Sequence, residues 1–191
     1  MSKGFKTLLI VVVVIVVILC ALVGNYNKMV SLDQSVKQSE SDIDTQLQRR
    51  SDLIPNLIAT VKGYAAQEKG IFTDLANARA KLAGAQTVTE KANADSQLSG
   101  SLSRLLVVVE NYPNLKSDQN FRDLSVSLEG TENRINIARK DYNSEVGNYN
   151  SVIKRFPNVI IAGIFGFQQK PYYKASEGAK EVPKVDFSTA K

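Results

Sequence analysis

One uninterrupted apolar run near the amino terminus constrains this chain more than any other feature. Residues 8–23 read LLIVVVVIVVILCALV and contain no charged side chain. Together with their neighbours they reach the roughly 20 residues that a helix needs to cross about 30 Å of hydrocarbon. The run therefore predicts a membrane anchor over residues 1–24, formed by one transmembrane helix. Residues expected within this span are Phe5, Leu8, Val14, Cys20 and Val23.

Two other interpretations of the run fit less well. A cleaved signal peptide has a shorter apolar core that ends at small residues, whereas Leu19 and Leu22 stand at the corresponding places here. Lipidation of Cys20 normally follows a small residue, and Leu19 precedes it. We therefore expect a retained single span. The lone cysteine leaves no internal disulfide to predict.

Basic residues lie on both sides of the span. Lys3, Lys6 and the terminal amine precede it, and Lys28 and Lys37 follow it. Lysines and arginines near a span set its orientation, and acidic residues count little. The balance narrowly favours a cytoplasmic amino terminus, with the bulk of the chain on the extracytoplasmic side.

The remaining residues suffice for one domain but lack the signatures of an enzyme. The chain has 191 residues and no histidine, which excludes Ser–His or Cys–His catalysis and most transition-metal sites. The motifs G-x-S-x-G, C-x-x-C, H-E-x-x-H and the P-loop are all missing. We expect no enzymatic activity, no cofactor and no metal. The net charge of +5 comes without a basic stripe and stacking aromatics, so we expect no nucleic-acid partner.

Helical periodicity dominates the chain after the anchor. Apolar residues spaced three and four apart predict helices from residue 26 to residue 82. Pro55 interrupts this pattern because it cannot donate to the carbonyl of Ser51. We expect a break at residues 50–52 that divides the segment into two helices. One kinked helix remains the alternative.

Two further helices are expected downstream. Thr87 followed by Glu90 predicts a capping box, and Ser117 is expected to cap a long helix that Pro157 ends. Four helices with short connections predict an up-and-down antiparallel four-helix bundle over residues 25–157. The fold class is therefore all-α, with an N-terminal transmembrane helix followed by this bundle. The fourth helix would then return to the membrane.

An apolar, aromatic and basic segment follows at residues 158–173. Its run NVIIAGIFGF is too short to span a bilayer. It could cap the bundle core, lie on anionic lipid or form a subunit interface. Residues expected in a membrane or subunit contact are Phe156, Ile160, Ile161, Phe165, Phe167, Lys170, Tyr172 and Tyr173. Residues 174–191 mix charges with Gly and Pro and predict a disordered tail.

The stretch QLQRRSDLIPNLIATVKGYAAQE at residues 46–68 resembles the LemA family of bacterial membrane proteins. Further similarity lies at residues 110–121, 131–143, 148–157 and 166–173, so it covers nearly the whole chain. Family members often carry a tryptophan shortly before the arginine pair, and this chain has none. The resemblance implies an anchored four-helix bundle at the bacterial inner membrane. It implies no enzymatic reaction, although relatives among magnetosome-membrane proteins suggest membrane organisation.

An arginine falls on the apolar face of the first predicted helix. Arg50 follows Arg49 directly, and a buried arginine needs an acidic partner. An ion pair that fixes helix register is the simpler interpretation, and a site for an acidic partner or lipid headgroup is the alternative. The candidate partners are Glu68, Glu110 and Glu132.

A polar ladder with seven-residue spacing marks the last long helix. Polar side chains beside a helix seam commonly set register or oligomeric state. We expect the ladder to meet the start of the first helix near the membrane; a solvated face and a ligand site are the alternatives. The residues concerned are Tyr26, Asn27, Asn136, Tyr142, Asn143, Tyr149 and Asn150.

Together these features predict a membrane-anchored, non-enzymatic scaffold or adaptor. Its expected partners are membrane lipid, other envelope proteins and further copies of itself. The alternatives are a sensor that signals through a partner and a membrane-shaping protein that inserts residues 157–173. The sequence does not identify the partner or the subunit number.

Overall fold

The computed structural model describes residues 3–174, apart from the side chains of residues 3, 6, 7, 18 and 21. All regular secondary structure in this part of the chain is helical, which confirms the all-α prediction. The tail predicted at residues 174–191 lies outside the described residues except for Lys174. The helices are α1 (Lys3–Lys62), α2 (Lys69–Gly84), α3 (Val88–Val109), α4 (Pro113–Ser117), α5 (Gln119–Lys154) and α6 (Asn158–Phe165).

These residues fall into two compact units. Unit 1 is drawn from Met1–Asp42 and Lys140–Tyr172, and unit 2 from Ile43–Arg139 and Tyr173–Lys191. Helices α1 and α5 therefore contribute to both units. Helices α2, α3 and α4 belong to unit 2, and α6 belongs to unit 1.

The first part of α1 is the long apolar helix that the sequence predicts. It is the single described helix that is long and apolar enough to cross a membrane. Its apolar side chains are exposed in the protein alone, including Leu8 at 61% and Val23 at 59%. A helix that is apolar on every side needs an apolar surrounding, which a bilayer provides.

The predicted break at residues 50–52 is wrong, because α1 continues through Pro55 to Lys62. Pro55 leaves the Ser51 carbonyl without its helical donor. Arg79 Nε on α2 donates to that carbonyl at 3.1 Å and replaces the missing bond. The chain turns instead at Gly63 and Tyr64, whose amides bond to Thr60 and Val61 carbonyls. Neither two helices divided at residue 50 nor one kinked helix is correct.

The two predicted helix caps have different outcomes. The capping box of Thr87 and Glu90 is present at the start of α3. Ser117 does not cap α5, because it ends the short helix α4 and bonds to the Asn114 carbonyl. Asp118 caps α5 instead, where its Oδ1 accepts from the Phe121 amide at 2.9 Å. A carboxylate at this position also interacts favourably with the helix dipole.

The core of unit 2 includes the contact between α2 and α3, which pack against each other. Phe72 and Leu75 of α2 are buried, as are Leu98 and Leu105 of α3. Burying side chains of this size contributes about 1.5–3 kcal/mol each. This packing holds α3 in place, and α3 contributes Asp95 and one wall of the cleft to the site described below.

The bond from Arg79 predicts a specific stability coupling. Arg79→Met should lower the free energy of unfolding by about 1–2 kcal/mol, because the buried Ser51 carbonyl loses its donor. In a Pro55→Ala background the loss should be smaller, since the new alanine amide can donate to Ser51. Urea unfolding of the full-length protein in detergent micelles measures all four members of this double-mutant cycle. Equal losses in both backgrounds would contradict the explanation.

Candidate functional site

Unit 2 contains a buried group of charged residues. Its members, here called the charge cluster, are Arg50 of α1, Asp95 of α3, Glu132 and Arg139 of α5, and Tyr173. The cluster brings together two cations, two carboxylates and one phenol from four parts of the chain. Its formal charges balance, as burial requires.

Asp95 is the centre of the charge cluster. Its side chain has no exposed surface. Oδ1 accepts from Arg50 Nη1 at 3.0 Å, and Oδ2 accepts from Arg139 Nη2 and from the Tyr173 hydroxyl, the latter at 3.2 Å. One carboxylate thus accepts from three side chains, and such charge-assisted bonds are the strong ones in proteins.

Arg50 is held from three directions. Besides Asp95, its Nη1 lies 3.0 Å from Ser99 Oγ and 2.6 Å from Glu132 Oε2. Burial lowers the pKa of the Arg50 guanidinium below its ordinary value, and the Glu132 carboxylate opposes this shift. An arginine remains protonated under these conditions, so the cluster keeps its ion pairs.

Tyr173 completes the cluster. The Arg139 guanidinium carbon lies 5.0 Å from the centre of the Tyr173 ring, within the range of a cation–π contact. Burial raises the pKa of the Tyr173 phenol, and Arg139 opposes the shift. Tyr173 is only 6% exposed. The expectation that it contacts membrane or another subunit is therefore wrong.

The structure separates the candidate partners of Arg50. Glu132 lies beside it, whereas Glu68 accepts from the Tyr112 hydroxyl at 3.1 Å and Glu110 pairs with Lys116 at 2.6 Å. The latter two glutamates are therefore not its partners. Arg49, its neighbour in sequence, is exposed.

Asp95 was missed by sequence reasoning. It stands three residues after buried Ala92 and three before buried Leu98, so helical periodicity places it on the buried face of α3. An acidic residue on that face was the available signal for the partner of Arg50.

A cleft of about 490 Å³ adjoins the charge cluster. Three helices of unit 2 contribute to it, and its walls are mainly leucine and serine. Arg50 and Glu132 are part of the lining, so the cleft and the charge cluster share two residues. The full lining is Arg50, Leu57, Ser99, Leu102, Ser103, Leu106, Ser125, Leu128, Glu129, Glu132 and Asn133.

Residues 166–172 of unit 1 form an irregular segment, here called the strap. The Asn150 side chain pairs with the backbone of Lys170 in both directions, donating to its carbonyl and accepting from its amide, each at 2.9 Å. The Tyr142 hydroxyl donates to the Pro171 carbonyl at 2.9 Å. These side chains satisfy backbone groups that have no helical partner.

The Lys170 side chain also ties the strap to α1. Its Nζ lies 2.8 Å from Asp33 Oδ1 and 5.6 Å from the centre of the Tyr149 ring. Partial burial would raise the pKa of the Asp33 carboxyl, but hydrogen bonds from Lys170 and Lys37 hold it below its ordinary value. Burial raises the pKa of Tyr142 to about 12.

The residues of the polar ladder lie in different surroundings. Tyr142, Tyr149 and Asn150 are buried against the strap, and Asn143 is half-buried. Asn136 is exposed in unit 2, where it accepts from Arg139 at 3.2 Å. Tyr142, Tyr149 and Asn150 of the ladder therefore hold the strap.

Tyr26 and Asn27, at the start of the soluble part of α1, differ in exposure. Asn27 is exposed, and Tyr26 contacts the rings of Phe165 at 4.8 Å and Phe167 at 5.7 Å between centroids. Lys170 faces Asp33, so the structure does not present it as a free lipid contact. Tyr172 is 43% exposed.

Helix α6 has one buried side and one exposed side. Ile161 and Ala162 are buried, so Ile161 belongs to the core of unit 1 and is not available for an external contact. The exposed apolar residues on α6 and shortly before it, here called the α6 patch, are Phe156, Val159, Ile160, Ile164 and Phe165. The buried residues of α6 thus fit the prediction of a cap on the core, and its exposed residues fit the prediction of an external contact.

An all-helical chain with one exposed, strongly apolar helix at its amino terminus defines a class of membrane-associated helical proteins. The model of the LemA family matches residues 39–187, so the chain belongs to the LemA family. This confirms the resemblance inferred from the sequence. The matched range includes the charge cluster, the strap and α6.

Several curated relatives are similar to this chain. Magnetosome protein MamQ 2 of Paramagnetospirillum magneticum is 26% identical over 185 residues, which cover 82% of this chain and 67% of the relative. Magnetosome protein MamQ of Magnetospirillum gryphiswaldense is 26% identical over 181 residues, covering 81% and 66%. Protein LemA of Metamycoplasma hominis is 22% identical over 169 residues, covering 88% and 75%. The chain spans about two thirds of the length of the two magnetosome proteins.

The charge cluster predicts a ranked set of stability losses. Asp95→Asn should cost about 3–5 kcal/mol, because it leaves the buried Arg50 and the partly buried Arg139 without their shared carboxylate. Glu132→Gln should cost less, since the Glu132 side chain is 35% exposed and water can solvate what remains. Arg49→Met provides the exposed control and should change little. Urea unfolding in detergent micelles measures the ranking, and an Asp95→Asn protein as stable as wild type would refute it.

Proposed function

We propose that this protein is a membrane-anchored, non-enzymatic scaffold that acts by association with other envelope proteins and with further copies of itself. The cleft of unit 2 carries the proposal, because it offers an open apolar surface beside a rigid charged group. The name magnetosome protein, borne by the relatives described above, is consistent with a role at a membrane.

The lining of the cleft indicates what kind of partner would fit. Its volume of about 490 Å³ falls in the range of ordinary binding clefts. Leu57, Leu102 and Leu106 offer apolar contact, while Glu129 and Glu132 carry negative charge. We infer that the partner inserts an apolar side chain next to a lysine or arginine.

Association from a membrane anchor does not require a tight contact. Confinement to two dimensions raises the effective concentration of weakly interacting partners. Because its ion pairs already bind Arg50 and Asp95, the charge cluster would support the cleft without being rearranged by each binding event.

We further propose that the long helices form an up-and-down antiparallel four-helix bundle, as the family resemblance implies. The short connection between α2 and α3 and their mutual packing support one hairpin of this arrangement. An experimental structure with another helix order would overturn it.

The proposed location is the bacterial inner membrane, with a cytoplasmic amino terminus and one span. In a Cys20→Ala background, a single cysteine at exposed Ser127 should react with a membrane-impermeant thiol reagent in intact cells. Lysed cells provide the control for total reactivity. Labelling only after lysis would place the bulk of the chain in the cytoplasm and reverse the orientation.

Site-specific crosslinking tests the scaffold. A photoreactive residue in place of Ser103, within the cleft, should give discrete adducts in intact cells. Leu106→Glu should reduce their yield roughly tenfold, because it removes apolar contact and adds a third acidic residue to the lining. Mass spectrometry of the adduct should identify an apolar segment containing a lysine or arginine, from an envelope protein or from a second copy.

Val107→Glu is the matched control. Val107 is 70% exposed and adjoins Leu106 in sequence, but it does not line the cleft. It should leave the adduct yield unchanged. Equal losses for both variants, or adducts that lack a basic segment, would argue against the cleft as the binding site.

A further inference from the structure

The α6 patch is an apolar surface that stays largely exposed in the part of the chain that the structure describes. Ile164 is 73% exposed and Ile160 55%, although Ile161 and Ala162 of the same helix are buried, and Phe156, which shortly precedes the helix, is 82% exposed. Helix α6 has only eight residues, so it is too short to cross a bilayer. Exposed apolar residues of this size concentrated on one short helix indicate a binding surface.

The contacts of Tyr26 place one end of this patch beside the end of the anchor. Tyr26 follows the last strongly apolar residue, Val23, by three positions, which is about 4.5 Å along a helix. Its ring lies 4.8 Å from the ring of Phe165. The apolar surface of the anchor and the α6 patch therefore come within one side-chain contact of each other inside unit 1.

The charges around α6 favour an anionic surface. The chain has no acidic residue between Glu145 and Glu177. Lys154 and Arg155, which directly precede the patch, are both exposed. Lys170 does not contribute in the same way, because its ammonium faces Asp33.

We propose that α6 is a second membrane contact, lying in the surface of an anionic phospholipid bilayer with the α6 patch in the boundary between headgroups and acyl chains. Short helices with one apolar side and flanking cations bind membranes in this way, at a depth of about 5–10 Å. The aromatic rings of Tyr26, Phe165 and Phe167 then lie at the interface, where aromatic residues are enriched.

The position beside the anchor favours lipid over a second protein copy as the occupant. The anchor holds Tyr26 at the end of the span, and Tyr26 contacts α6 directly, so lipid is present wherever the anchor is inserted. Two attachment points would restrain the tilt of unit 1 on the bilayer, whereas attachment by one helix alone leaves that tilt free. This inference depends on the anchor and not on the proposed scaffold role.

The absence of tryptophan from the chain permits a direct test. Phe156→Trp and Ile164→Trp each introduce a single reporter at an exposed position of the α6 patch. The full-length proteins are reconstituted in vesicles of phosphatidylcholine and phosphatidylglycerol, with or without bromine on the acyl chains. Both reporters should lose roughly half of their fluorescence to brominated lipid and be protected from aqueous iodide, as expected for a boundary position.

Val126→Trp is the matched control, because Val126 is 69% exposed and lies in unit 2. It should respond to iodide and not to brominated lipid. If the α6 reporters respond to iodide alone, the patch is in water and the proposal is wrong. If neither quencher reaches them, protein covers the patch, which also overturns the proposal and favours a second copy. Brominated-lipid quenching of Val126→Trp to the same extent would show no preference for α6 and would overturn it as well.

The charge component has its own test. Lys154→Glu with Arg155→Glu should reduce the brominated-lipid quenching of the Ile164→Trp reporter in vesicles containing phosphatidylglycerol. In vesicles of phosphatidylcholine alone the same pair of substitutions should have little effect, since no surface charge is present. Equal effects in both lipids would refute the preference for anionic lipid.

Discussion

The buried carboxylate of Asp95 imposes the strictest requirement in unit 2. A charge without exposed surface must be paired, and Asp95 is paired with guanidinium groups of Arg50 and Arg139 and with the hydroxyl of Tyr173. These donors come from α1, from α5 and from the residue that follows the strap. Removing Asp95 leaves the guanidinium groups of Arg50 and Arg139 without the carboxylate that they share, so the cluster favours one arrangement of these elements within unit 2. This is a stronger argument for specificity of packing than for net stability.

The strap shows the same physical requirement applied to backbone. Residues 166–172 are irregular, yet Asn150 and Tyr142 satisfy amide and carbonyl groups that would otherwise lack partners. Lys170 adds an ion pair with Asp33 on α1. Polar residues that the sequence suggests as an interface, such as Tyr142 and Asn150, therefore make their hydrogen bonds within unit 1. Large apolar side chains remain exposed there on the anchor and on the α6 patch.

The apolar surfaces of unit 1 and unit 2 differ in composition, which favours a different kind of contact for each. The anchor and the α6 patch belong to unit 1 and suit lipid, whereas the cleft of unit 2 is lined by leucines, serines and a few charges and suits a protein segment. The cleft shares Arg50 and Glu132 with the charge cluster, whose ion pairs hold these two lining residues in place. A protein organised in this way would hold its binding surface at the membrane by attachment and recognise partners by packing.

The sequence by itself determined the features that depend on local composition and periodicity: the apolar amino-terminal helix, the all-helical class, the capping box of Thr87 and Glu90, and membership of the LemA family. It also indicated that Arg50 needs an acidic partner. Only the tertiary structure decided that Asp95 shares that role, that Arg79 allows α1 to continue through Pro55, and that the polar ladder binds the strap. The physical reason is that each of these depends on a side chain more than 15 positions away in the sequence, meeting a specific buried polar group. Periodicity shows that a residue is buried, but only packing shows which distant group satisfies it.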